Sequence, residues 1–206
     1  MSQERSDQNC LLVFAAVPGS DIVKPQIVEA WGRQRAEQLY RELLDNAASV
    51  VAGISHHVAF AGGGDPGELR AIFPKAESFI PQQGDSFGDR LADAFSGFFK
   101  HGCESVCAIV SDCPELDVHD ITRAFTLLGN STNAVLGRLR DGGFYLVGCD
   151  KKSLPLLSIP GFGGPGSAKE IAGAAQKHDL NIALMRVLYD VDEIGDCLRW
   201  RGAHNS

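Results

Sequence analysis

The chain has 206 residues, 44% hydrophobic and 22% charged, which is the composition of one ordinary globular domain and excludes a disordered or fibrous chain. No apolar run approaches a bilayer span, and a formal net charge of −7 gives no overall attraction to nucleic acid or to an anionic membrane. The six cysteines, at 10, 103, 107, 113, 149 and 197, are expected to be reduced thiols, because the chain can bury a core without staples and no C-x-x-C pair supports a metal cluster.

Residues 1–10 read as a loosely attached polar tail without a secretion-signal pattern, so the expectation is a single domain over 11–206 in the cytoplasm. The first strand-like run, Cys10 to Val17, ends in the turn signals Val17-Pro18-Gly19-Ser20-Asp21. From Ile27 to Ala47 apolar residues recur at helical spacing, which predicts one amphipathic helix across the sheet. His57 to Ala61 predicts a second strand, closed by a loop from Gly62 to Gly67 that lacks the glycine patterns of phosphate-cradling loops. Ala71–Pro74 and Ser78–Pro81 read as short edge strands limited by proline. A helix from Ser86 to Lys100 carries Phe87, Leu91, Ala94, Phe95, Phe98 and Phe99 on one face.

Val106 to Val110 is a buried-strand run that stops at Ser111-Asp112, and Pro114 forbids continuation. An acid at the carboxyl end of such a strand lies where open α/β sheets bind ligands, and a carboxylate there can hold a divalent cation; the plain alternative is a turn or helix cap. Asp117 starts a helix through Leu128, stopped by Gly129-Asn130. Ala134–Leu139 and Phe144–Val147 flank Arg140-Asp141-Gly142-Gly143, which reads either as a bare hairpin or as a turn whose glycines admit a ligand beside Asp141. A loop at Pro160–Gly166, a helix at Ser167–Lys177, a strand at Asn181–Val187 and a closing segment at Val191–Trp200 complete the chain. Strands alternating with helices predict an α/β sandwich on a mainly parallel sheet, with antiparallel character at Ala134–Val147.

Several stretches in this order resemble one family: Leu12-Val13-Phe14-Ala15, Val17-Pro18-Gly19, Val23-Lys24, Ser111-Asp112-Cys113-Pro114-Glu115-Leu116, Asp141-Gly142-Gly143-Phe144-Tyr145-Leu146-Val147-Gly148 and Asp190-Val191-Asp192. It is the bacterial nucleotide-diphospho-sugar-transferase-like group related to phospholactate guanylyltransferases, within the GT-A glycosyltransferase superfamily, and the resemblance runs from about Leu11 to Leu198. It implies a three-layer α/β/α Rossmann-like sandwich and metal-dependent glycosyl or nucleotidyl transfer from a nucleotide or nucleotide-sugar to a small acceptor. In that frame Asp112 and Asp141 are catalytic. Val17, Pro18, Gly19, Lys24, Gly84, Arg90 and Ser111 bind the nucleotide, Gly142 and Gly143 line the acceptor side, and Asp112, Asp190 and Asp192 hold Mg²⁺ or Mn²⁺. No nucleic acid or membrane span is implied.

The chain also departs from the family pattern. Ala16 stands at a lysine of the N-terminal motif, Pro25 at a threonine and Gln26 at an arginine, while Ser86 replaces an aspartate of the motif that keeps Gly84, Gly88 and Arg90. Charge-assisted phosphate contacts contribute about 1.5–3 kcal/mol each, so losing two cations weakens nucleotide binding by several powers of ten. Two readings therefore stand: an active transferase, and a noncatalytic relative that binds a nucleotide or a partner.

Overall fold

A computed structural model describes residues 8–63, 65–164 and 166–204. The first seven residues of the expected tail, and with them its character, lie outside the described residues; β1 begins at Asn9. The strands are β1 (Asn9–Ala16), β2 (His57–Ala61), β3 (Phe79–Pro81), β4 (Ser105–Val110), β5 (Ala134–Arg138), β6 (Phe144–Asp150) and β7 (Ile182–Leu184). The helices are α1 (Pro25–Trp31), α2 (Arg33–Val51), α3 (Gly67–Ile72), α4 (Phe87–Lys100), α5 (Val118–Leu128), α6 (Ser167–Lys177) and α7 (Ile194–His204), with a 3₁₀ segment at Leu154–Ser158.

The strands form one sheet in the order β3-β2-β1-β4-β6-β5-β7, and all pairings are parallel except those of β6. β6 follows β5 through the Asp141-Gly142-Gly143 turn, so the hairpin expected there supplies the antiparallel character. Side chains alternate across a strand, so each strand feeds both faces. Leu11, Val13 and Ala15 join Tyr40 and Leu44 of α2, Leu69 of α3 and Ile121 and Ala124 of α5 in one cluster. Leu12 and Phe14 pack on the other face with Leu91 and Phe95 of α4, the 3₁₀ segment and α6. The result is the three-layer α/β/α Rossmann-like sandwich. Among the described residues no helix is long and apolar enough to cross a membrane.

Three local expectations are corrected. The single helix over 27–47 is two helices, because Gly32 adopts φ 81° between α1 and α2 and turns the chain. Ala71–Pro74 is no strand: Ala71 and Ile72 close α3, which buries Leu69 against the core while Phe73 follows it, a pattern too short for periodicity to distinguish from an edge strand. The cysteines are not all reduced, since Cys10 of β1 and Cys103 before β4 are joined in a disulfide with Cα atoms 6.2 Å apart. β1 and β4 pair side by side with Cys10 opposite Val106, which brings together two thiols 93 residues apart in sequence. Cys107, Cys113, Cys149 and Cys197 are free and buried.

Candidate functional site

The chain leaves β1 toward β2 on one side and later returns with β4 on the other, so the strand order reverses at β1. In open α/β sheets the crevice at the carboxyl ends of the strands beside such a reversal is the ligand site. Here that crevice is a cleft of about 260 Å³ lined by Phe14, Lys24, Tyr40, Gln82, Phe87, Arg90, Ser111, Asp112 and Asp192.

Its floor is polar and ordered. The Tyr40 hydroxyl accepts the Ala16 N–H at 2.7 Å, donates to the Ala16 carbonyl at 3.2 Å and lies 3.3 Å from Ser111 Oγ. Burial, before any other influence, raises the Tyr40 pKa. Gln82 donates its amide to the Ala59 and Ala15 carbonyls at 2.9 and 3.4 Å. Phe14 and Phe87 meet edge to face across the cleft, with centroids 6.1 Å apart.

Lys24 is the cation among the cleft residues that pairs with its acids. Its side chain is 6% exposed, and its ammonium donates to Asp112 Oδ2 at 2.6 Å and to Asp192 Oδ1 at 2.7 Å. Burial alone would push the ammonium pKa down, but the two carboxylates outweigh it and hold it up. The lysine is the N-cap of α1 with φ 44° and ψ 56°, directly before Pro25. A non-glycine residue in that region costs about 1–3 kcal/mol of strain and persists only where its surroundings impose it. The two ion pairs supply that constraint.

The C-terminal segment brings its acids to Asp112 by a series of backbone bonds. Leu188 N–H donates to the Arg138 carbonyl at the end of β5, and Val191 N–H donates to the Asp112 carbonyl at 3.0 Å. Asp196 then accepts from the Asp192 and Glu193 N–H groups, fixing the start of α7 beneath Asp192. Ile27, Leu39, Tyr189, Val191, Cys197 and Trp200 pack behind this segment. Asp190 is pushed up to about 7, chiefly by burial and then by the charges of Asp192, Asp112 and Asp141, so four carboxylates share one electrostatic neighbourhood.

The expected residues divide accordingly. Lys24, Arg90, Ser111, Asp112 and Asp192 line the cleft, while Asp190 and Asp141 do not line it; the charges of Asp112, Asp192 and Asp141 are felt at Asp190. Val17, Pro18 and Gly19 follow β1 into its turn, with Val17 N–H donating to the Ala61 carbonyl, and do not line the cleft. Gly84 packs on the backbone of Asp89 and Arg90, and Gly143 N–H donates to Asp141 Oδ1 at 2.9 Å within the hairpin turn. A Cβ on Gly143 would approach the Gly163 carbonyl, and one on Gly163 would strike Phe87, so the hairpin turn, the 160s loop and the cleft wall are contiguous. Tyr40, Gln82, Phe14 and Phe87 went unread in the sequence as site residues. Tyr40 and the phenylalanines sit on apolar faces that periodicity assigns to core; only the need of a buried phenol for a partner hinted otherwise.

The donor set fits a hard cation in part. Asp112 and Asp192 already share one cation and offer carboxylate oxygens, which Mg²⁺ or Mn²⁺ takes together with ligand phosphates. Among the described residues no three His, Cys, Asp or Glu side chains gather into a complete metal-ligand set. The Nε of Arg90, buried without a hydrogen-bond partner, leaves one donor unused in a residue that lines the cleft.

Solved structures agree with this architecture. A Desulfovibrio desulfuricans protein provisionally named a nucleotide-diphospho-sugar transferase superposes with a TM-score of 0.86 at 25% identity, covering 97% of this chain and 89% of its own. 4-Diphosphocytidyl-2C-methyl-D-erythritol synthase from Anaerococcus prevotii reaches 0.64 at 12% identity over 98% and 99% of the two chains. The manganese complex of Rv0371c from Mycobacterium tuberculosis reaches 0.53 at 18% identity over 94% and 97%. The last two likenesses are of fold. No curated protein sequence matches. Residues 43–160 match the family described as "Uncharacterized protein conserved in bacteria (DUF2064)"; the match spans more than half of the chain, which belongs to that family.

Proposed function

We propose that the chain is a nucleotide-dependent transferase, moving a glycosyl or nucleotidyl group from a nucleotide donor to a small acceptor. The observation that supports it most is the convergence of Lys24, Asp112 and Asp192 at the reversal point of the sheet, in a cleft that also contains an under-used arginine. Transfers at phosphate depend chiefly on positioning and charge neutralisation, which this set of residues is suited to provide.

In this reading Asp112 and Asp192 hold a divalent cation that, when bound, would act as a Lewis acid on the phosphates. Arg90 and Lys24 contact phosphate oxygens, and Ser111 is kept in place by Tyr40. The turn of Val17, Pro18 and Gly19 closes over the nucleotide, with Gly84 holding the backbone that carries Arg90. Asp141, with Gly142 and Gly143, borders the acceptor, and Asp190 lies in the electrostatic neighbourhood of the metal-holding carboxylates. The likeness at 25% identity to a protein provisionally named a nucleotide-diphospho-sugar transferase agrees with this choice of donor.

One observation favours the noncatalytic alternative. At Ala16 no cation replaces the family lysine, and its N–H is already bonded to Tyr40. Calorimetric titration with nucleoside triphosphates and nucleotide-sugars, with and without Mn²⁺, tests binding, and product analysis with candidate acceptors separates the two readings. Metal-dependent binding is expected, reduced at least about tenfold by Asp112→Ala, since a lost charge-assisted contact is of that size. No binding at millimolar ligand would overturn the proposal.

A further inference from the structure

The cation position between Asp112 and Asp192 is already filled by the protein itself. The Lys24 ammonium contacts one oxygen of each carboxylate while its backbone stays in a left-handed conformation before Pro25, a placement held by ion pairs and opposed by backbone preference. A divalent cation that takes the same two oxygens must dislodge the lysine. A buried ammonium stripped of both partners is strongly unfavourable, so the exchange needs a new anion within reach. Phosphate oxygens arriving in the cleft would be that anion, and two carboxylates alone give a small hard cation too few ligands without them.

We infer that Lys24 and a divalent cation are alternative occupants of one position between Asp112 and Asp192, so that metal enters together with a phosphate-bearing ligand that receives the displaced ammonium. The inference rests on the nucleotide reading above and adds a coupling to it: Lys24 acts as a built-in counter-ion that suppresses metal binding to the empty cleft. By linkage, each ligand raises the affinity for the other by the same factor.

The test is the binding of Mn²⁺ alone, followed by electron paramagnetic resonance, to the wild type, Lys24→Met and Lys24→Arg. Lys24→Met is expected to bind Mn²⁺ about tenfold tighter or more than the wild type, the scale of a removed charged competitor. Lys24→Arg, which keeps the cation, is expected to match the wild type, and adding Asp112→Asn to Lys24→Met is expected to remove the gain. Circular dichroism checks each fold. Should Lys24→Met fail to fold, Lys24→Gln makes the same uncharged replacement while still donating to the carboxylates. Equal Mn²⁺ affinity in the wild type and a folded uncharged variant overturns the inference. If the wild type nonetheless binds nucleotide with Mn²⁺, the exchange alone is wrong; if neither protein binds Mn²⁺ or nucleotide, the transferase reading falls with it.

Discussion

Asp190 carries the strongest pH signal of the site. Its folded-state pKa is pushed from the ordinary 3.8 up to about 7, first by burial and then by Asp192, Asp112 and Asp141. The folded chain therefore keeps a proton that the unfolded chain has released, so this group's contribution to stability is full below the ordinary value and is lost as pH rises through about 7. Asp190→Asn removes that dependence. Thermal melts at about pH 5 and about pH 8 are expected to show the wild type losing melting temperature relative to Asp190→Asn at the higher pH; parallel profiles would contradict the assignment. Asp112 was legible as a candidate because a strand run ends in it, and Asp190 and Asp192 through their motif. That Lys24 would pair with two of these acids was not legible, since the three side chains come from segments 88 and 168 residues apart.

Among the elements, α4 shows how a local signal becomes a site. Ser86 caps it, accepting the Asp89 N–H while Asp89 accepts from the Ser86 backbone, a reciprocal capping box. The serine at the position of a family aspartate thus has a structural use here. Two residues beyond the cap, Gly88 lies against the 3₁₀ segment so closely that a Cβ would come within 2.1 Å of the Leu157 carbonyl. Gly88→Ala is expected to force α4 outward, costing about 1–3 kcal/mol as overpacking does and withdrawing Phe87 and Arg90 from the cleft. Denaturant melts would read the first effect and nucleotide titration the second. Unchanged stability would mean that the contact is soft. The helical period located α4 and α5 almost to the residue because both have long apolar faces and side-chain caps. It failed at α3, where fewer than two turns offer too few positions, and across Gly32, where the apolar spacing continues through a break in the backbone.

For the whole molecule, the Cys10–Cys103 disulfide is the covalent tie between β1 and the entry to β4, the two strands that bracket the cleft. Closing a loop of this length restricts the unfolded chain, and native disulfides contribute about 2–4 kcal/mol. Reduction, or Cys10→Ser, is expected to lower the melting temperature by roughly 5–10 °C while leaving the proposed nucleotide binding unaffected, because the bond lies at the amino ends of the strands. An unchanged melt in reductant would show that the bond carries no load. The sequence by itself determined the alternation of strands and helices, the hairpin at Asp141–Gly143 and the acids at strand ends, because hydrophobic period and turn chemistry are local. Only the tertiary structure decided which cysteines join, which hydroxyl supports Ser111 and which cation Asp112 holds. Those pairings depend on strand order and crossover, which bring distant segments together, and no local pattern encodes them.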